Sequence, residues 1–169
     1  MADGVSVRLE GVDELKRALA DAAAGIRKKA VRGALREAGK VIQIAAKARA
    51  PVMNTAAYKT APKYRKPGTV KKAIAVRASK FARRRGDEGV FIGVRSLRGA
   101  AQKKKGKAGA KNPNDPFYWR FLELGTKKMR ARPFLRQAAE HQGNAAIRKF
   151  MTSVVPQIEK LNRKASRGR

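Results

Sequence analysis

The sequence predicts an α+β protein: a long N-terminal helix and a C-terminal helix packed on a small, mostly antiparallel sheet, with long basic loops. Three observations predict it. Apolar residues recur at helical spacing between residues 31 and 48 and again between 135 and 161. Two short apolar runs, residues 70–79 and 89–95, flank a turn. Helices grouped at the ends of the chain around a central pair of strands are the pattern of an α+β domain.

Residues 5–9 (V-S-V-R-L) alternate apolar and polar, which predicts a short strand. Glu10 and Gly11 break it, and Asp13 is placed to cap a helix with Leu15, Leu19, Ala22 and Ile26 on one stripe. After Gly25 a stronger stripe follows: Val31, Leu35, Ala38, Ile42, Ala45 and Ala48. Roughly 18 residues at about 1.5 Å each give a helix of about 27 Å. Pro51 should end it. Lys29, Arg32, Arg36, Lys40 and Lys47 lie opposite the stripe and read as a solvated face.

Residues 52–68 have no period and read as an extended basic loop. The two central runs read as a β-hairpin whose turn holds Arg83, Arg84, Arg85, Gly86 and Asp87. Residues 97–116, rich in Gly, Ala, Lys, Asn and Pro, form a second basic loop; structureless loops this long are either disordered or functional. Residues 117–124 (FYWRFLEL) are the most aromatic stretch and read as a strand or a short helix, ended by Gly125. Pro133 suits the first turn of the last helix, Pro156 should kink or interrupt it, and the basic tail, residues 162–169, should fray. The whole chain is expected to form one domain.

Composition narrows function. Lys and Arg number 42 against 12 Asp and Glu, for a formal charge of +30. Such a charge repels itself and is relieved by a polyanion, by salt or by partner subunits. No cysteine is present, so disulfides and thiolate metal sites are excluded. The first residues lack the pattern of a signal peptide, and no apolar run approaches a membrane span; the expectation is a protein made in the cytoplasm.

Nothing in the spacing supports catalysis. The one histidine, His141, falls within the last helical stretch among Gln and Asn, where a surface role is expected. The acid pairs Asp13–Glu14 and Asp87–Glu88 lie at a helix start and in a turn, and read as structural. Neither G-K-A-G at 106–109 nor G-T-K-K at 125–128 completes a phosphate-loop motif. No enzyme activity, cofactor, metal or small-molecule substrate is expected. The basic runs are the stronger signal: Arg83, Arg84 and Arg85; Lys103, Lys104, Lys105, Lys107 and Lys111; residues 127–132; and residues 160–169. They suit DNA or an acidic partner, and no base-reading motif accompanies them. Phe117, Tyr118, Trp119 and Phe121 read as core rather than as a stacking platform for single strands.

The stretch 117–139, FYWRFLELGTKKMRARPFLRQAA, resembles the tail-completion or head–tail joining family of lambda-like, long-tailed bacteriophages. The matching positions are Tyr118, Phe121, Glu123, Gly125, Thr126, Met129, Ala131, Pro133, Phe134, Leu135 and Ala138. G-V-D-E-L-K-R-A-L at 11–19, A-A-K-A-R-A-P-V at 45–52, K-P-G-T-V-K-K-A-I-A-V at 66–76 and V-F-I-G-V-R at 90–95 also resemble family segments, in the family's order. The chain departs from the pattern after Thr55, where Ala56 and Ala57 and a basic segment intervene, and in its longer loop at 97–116.

The resemblance implies a structural virion protein of the tail and neck, assembled in the host cytoplasm. It implies a homo-oligomeric ring, expected to be a hexamer, at the head-proximal end of the tail. The tail terminator, tail tube and head-closure ring would be its neighbours, with genomic double-stranded DNA held non-specifically in the lumen and no membrane involved. A ribosomal or nucleoid-type nucleic-acid binder is the alternative with the same composition; a basic nuclease is a third reading. Within the motif, Glu123 is expected to pair with a cation such as Arg130 or Arg132, Gly125 to turn the chain, and Phe134 to plug the last helix onto the sheet.

Overall fold

The structure is a computed structural model, and it describes residues 11–53, 66–96, 109 and 112–167. The predicted strand at residues 5–9 lies outside the described residues, as do most of both basic loops. The described elements, in order, are α1 (Val12–Asp21), α2 (Ala24–Arg49), α3 (Thr69–Ala73), β1 (Ile74–Ala78), α4 (Lys80–Arg84), β2 (Val90–Val94), α5 (Trp119–Leu124) and α6 (Leu135–Arg167). The fold is α+β: long helices towards each end of the chain and a two-stranded antiparallel sheet between them in sequence.

The chain divides into two compact units, one of residues 1–41, 77–91 and 142–169, the other of residues 42–76 and 92–141. The first unit has a core of Leu15 from α1, Ala22 from the junction of α1 and α2, Ala30 and Ala34 from α2, and Val154 and Ile158 from α6. Ala30 and Ala34 are fully buried, whereas Val31 and Leu35 are half-covered. Over the first half of α2 the buried stripe is therefore rotated from the one expected, while Ala38, Ile42 and Ala45 of the expected stripe are buried or packed on a core. Alanine lets two backbones come close, so the tightest contact falls on small residues rather than on the most apolar ones.

The second unit is built around Ala46 and Ala50, Val70, the strand residues Ile74 and Val94, and Phe134 and Ala138. Here the end of α2 and the start of α6 pack against the sheet, as predicted. Gln43 adds a side-chain bond, its Nε2 donating to the Ile74 carbonyl at 2.7 Å.

Several local expectations are corrected. The first half of the presumed strand at 70–79 is the helix α3, opened by Gly68 in the left-handed region; only Ile74–Ala78 is strand. The hairpin turn carries the short helix α4. Of the two readings of residues 117–124, the short helix is the one found, over Trp119–Leu124, and the strand is not. At α1, Gly11 occupies the cap position and Asp13 lies in the first turn. Pro133 precedes α6 rather than starting it, and α6 passes through Pro156 without interruption as far as Arg167. Pro156 and Thr152 are both exposed, so water can satisfy the carbonyl that loses its helical partner. The end of α2 just before Pro51 is as expected.

The C-terminal end of the presumed loop at 97–116 is ordered and buried. Asn112, Asp115 and Pro116 are covered, and Asp115 Oδ2 accepts from Gly109 N at 2.8 Å. Thr69 Oγ1 donates to the Pro113 carbonyl at 3.2 Å. The N-P-N-D-P sequence is a compact turn in which Asn and Asp bond to nearby backbone.

Candidate assembly interface

The residues of the motif converge in the second unit. Trp119 and Leu122 of α5, with Tyr118 at its cap, turn inward onto the core. Phe121 and Leu124, on the same short helix, are 50% and 67% exposed. The aromatic stretch is thus only partly the core segment expected. Tyr118 packs edge-on against Phe117, with ring centroids 5.5 Å apart.

Glu123 has a different partner from the one the charge pattern suggests. Its Oε2 accepts from Phe134 N at 2.9 Å and Leu135 N at 3.0 Å, and its Oε1 accepts from Arg136 N at 2.9 Å. The carboxylate therefore caps α6 instead of pairing with Arg130 or Arg132. Helix starts leave several N–H groups without partners and carry partial positive charge, so a carboxylate there satisfies both. The sequence Arg132-Pro133-Phe134-Leu135 has no Ser, Thr, Asp or Asn to cap the helix itself. That missing cap is the signal that could have revealed the role of Glu123.

Gly125 makes the geometry possible. Its φ is 77°, outside the usual range of residues with a side chain, and an added Cβ would lie 2.9 Å from Ala131 N and 3.0 Å from Met129 O. Gly125→Ala should cost about 1–2 kcal/mol through backbone strain, measurable as a lower denaturation midpoint. A loss within error would show that this backbone relaxes freely. Beyond Gly125 the chain forms a tight loop: Thr126 N donates to Met129 O at 2.9 Å, and Met129 N returns to Thr126 O at 3.2 Å. Lys127 and Lys128 stand exposed at its tip. Arg132 N donates to Leu122 O at 2.7 Å, closing the loop, while its side chain is exposed. Phe134 is 1% exposed and fills the core as predicted.

In the first unit, Arg83, Arg84 and Arg85 lie in and just after α4, and all are exposed. Lys103, Lys104, Lys105, Lys107 and Lys111 lie outside the described residues. Arg32 is not simply one of the solvated cations of α2. It forms a two-point bond with Glu88, at 2.8 Å from Nε and 2.6 Å from Nη2, across 56 residues of sequence. No local spacing rule reveals a pair so distant.

The hydrogen bond from Arg32 holds the Glu88 carboxyl below its ordinary value of 4.5, and the charges of Arg32, Lys28 and Arg83 act in the same direction. A carboxylate depressed by folding contributes stability above its unfolded pKa and loses it as pH falls through the folded value. Glu88→Gln should therefore be less stable than the wild type at pH 7, and the gap should close as pH drops below about 4.5. Denaturation midpoints of both proteins between pH 7 and the acid limit test this; a gap independent of pH would contradict it.

Among the described residues no group of metal-ligating side chains converges, and no helix is long and apolar enough to cross a membrane. His141 is exposed. An open cavity of about 640 Å³ in the first unit is lined by Arg27, Lys28 and Val31 and by the turn residues Ala82, Gly86, Asp87 and Glu88. Its best-covered acid, Glu88, is already engaged by Arg32.

What these elements define is a strongly cationic α+β protein in which Glu123 and Gly125 staple a loop onto the start of a long helix. Its sequence matches the family model described as "Bacteriophage HK97-gp10, putative tail-component" over residues 13–125, more than half of the chain. The chain belongs to this HK97-gp10-like family of phage tail components. No curated protein and no solved structure matches it.

Proposed function

We propose that the chain completes the head-proximal end of the phage tail and joins it to the head, as one subunit of a closed ring through which the genome passes. The observation that carries this reading is the pairing of a tail-component family with a +30 charge. A tail component with this excess of cations gains most where a polyanion fills a lumen, because self-repulsion is then offset by phosphate. Ring closure uses one patch against a different patch of the next copy. Six copies is the expected number, with the tail terminator, tail tube and head-closure proteins as neighbours.

The motif supplies the scaffold for such contacts. Glu123, Gly125 and Phe134 fix the loop at 126–132, whose Lys127, Lys128, Arg130 and Arg132 side chains face solvent. Tyr118, Phe121, Thr126, Met129 and Pro133 complete the proposed assembly segment. Lys103, Lys104, Lys105, Lys107 and Lys111, with Arg83, Arg84 and Arg85, are proposed to face DNA or acidic neighbours.

Replacing the five lysines of the 103–111 segment by Gln tests the role. The expected result is normal heads and normal tails that join poorly, with joining restored by adding the purified wild-type chain. Unchanged yield of joined, DNA-filled particles would count against it. The same variant should bind duplex DNA with a salt slope smaller by about 0.9 for each phosphate no longer neutralised.

A further inference from the structure

We infer that the β1–α4–β2 hairpin is a docking surface for an acidic surface of a different virion protein. Two exposed aromatic rings mark it, each with an arginine over it. Phe81 is 66% exposed, and Arg85 Cζ lies 4.6 Å from its ring centroid. Phe91 is 51% exposed, and Arg77 Cζ lies 5.5 Å from its ring centroid.

Both pairs have a structural cause. Ser79 N donates to Gly89 O at 2.8 Å and Arg95 N to Ala73 O at 2.8 Å, which sets Arg77 directly opposite Phe91. As an opposed pair, Arg77 and Phe91 stand on one face of the two strands, and both are exposed. Phe81 and Arg85 are one helical turn apart along α4 and its cap.

The hairpin is held in place before any partner arrives. Ser79 Oγ accepts from Ala82 N at 3.2 Å, and Asp87 N donates to Ala82 O at 3.0 Å. At Gly89 an added Cβ would lie 2.8 Å from Ala82 Cβ, so α4 packs directly on the chain entering β2. The Arg32–Glu88 pair ties the same turn to α2. A surface already ordered loses little conformational freedom on binding.

The chemistry selects the partner. Backbone contacts to duplex DNA need cations and polar groups, and phenylalanine adds nothing to them. Arginine and aromatic residues together are the composition of protein interface centres. Guanidinium groups ordered over a ring present a planar fork that matches a carboxylate. Arg77, Lys80, Arg83, Arg84 and Arg85 lie within this one hairpin, so the matching surface is acidic, with apolar recesses for the two rings. A second copy of the chain supplies this poorly. It carries 12 acids in 169 residues, and among the described ones Glu88 and Glu123 are engaged internally.

Photo-crosslinking in assembled particles tests the assignment. Phe81→benzoylphenylalanine and Phe91→benzoylphenylalanine keep an aromatic ring at each site. The expected product is an adduct to another virion protein through a segment rich in Asp and Glu. An adduct to DNA, an adduct to a second copy, or no adduct at either position would overturn the inference. Arg77→Lys combined with Arg85→Lys keeps the charge and removes the fork. It should lower incorporation into particles about tenfold while duplex binding by the purified chain stays within about twofold. Equal incorporation at an unchanged melting temperature would also overturn it; where the double variant melts early, the crosslinking variants decide, and the absence of an adduct from them overturns it. The adduct reads the partner wherever in the tail the chain resides, so a position away from the neck would refute the ring proposal without touching this one.

Discussion

Phe134→Ala is expected to lower the unfolding free energy by about 3–5 kcal/mol, the range for truncating a buried aromatic residue. Phe134 is the largest fully buried side chain of the second unit, packed with Val70, Ile74, Val94 and Ala138. Those neighbours sit on α3, both strands and α6, so the cavity would open where these elements meet. Its carbonyl also accepts the first helical bond of α6, from Ala138 N at 3.3 Å. Urea denaturation of the purified chain measures the loss directly. A change under about 1 kcal/mol would mean that the site collapses around the smaller residue and that the ring does not anchor the helix.

Glu123→Ala is expected to cost about 2–3 kcal/mol, combining a lost cap of about 1–2 kcal/mol with the lost attraction of a carboxylate for a helix start. Three backbone N–H groups lose their acceptor at once. Glu123→Gln should recover part of the loss, since its amide oxygen can still accept but the charge is gone. Amide hydrogen exchange separates this mechanism from a general loss of stability. Phe134, Leu135 and Arg136 amides should lose protection well before the middle of α6. Uniform loss along the helix would contradict a capping role. Variants with a frayed α6 start should also join heads to tails poorly if the loop at 126–132 is an assembly contact.

The fold is largely readable from the sequence because its long-range order follows from simple patterns. Pro51 marks the end of α2, the run at 89–95 marks β2, and Phe134 is recognisable as the plug. Expectation and structure part where one pattern serves two periods. In Val70-Lys71-Lys72-Ala73-Ile74 the apolar residues fit a helix turn as well as a strand, and Gly68 in the left-handed region decides for the helix. The first half of the α2 stripe is offset because hydrophobicity favours Val31 and Leu35, while close helix approach favours Ala30 and Ala34.

The site is less legible. Glu123 stands in the quoted motif, yet charge pairing points to Arg130 or Arg132; only the uncapped start of α6 points to its real partners. The Arg32–Glu88 pair and the ordered turn at Asn112–Asp115 depend on contacts that only folding creates. The segment 97–116 is uniform in composition, although Asn112, Asp115 and Pro116 near its end are buried.

A reconstruction of the intact virion at side-chain resolution is the decisive measurement for the ring. The expected density places this chain in a closed ring on the tail axis between head and tube, with cationic segments facing the DNA. Density for the chain away from that axis, or a single copy bound to the outside of the tail, would contradict it.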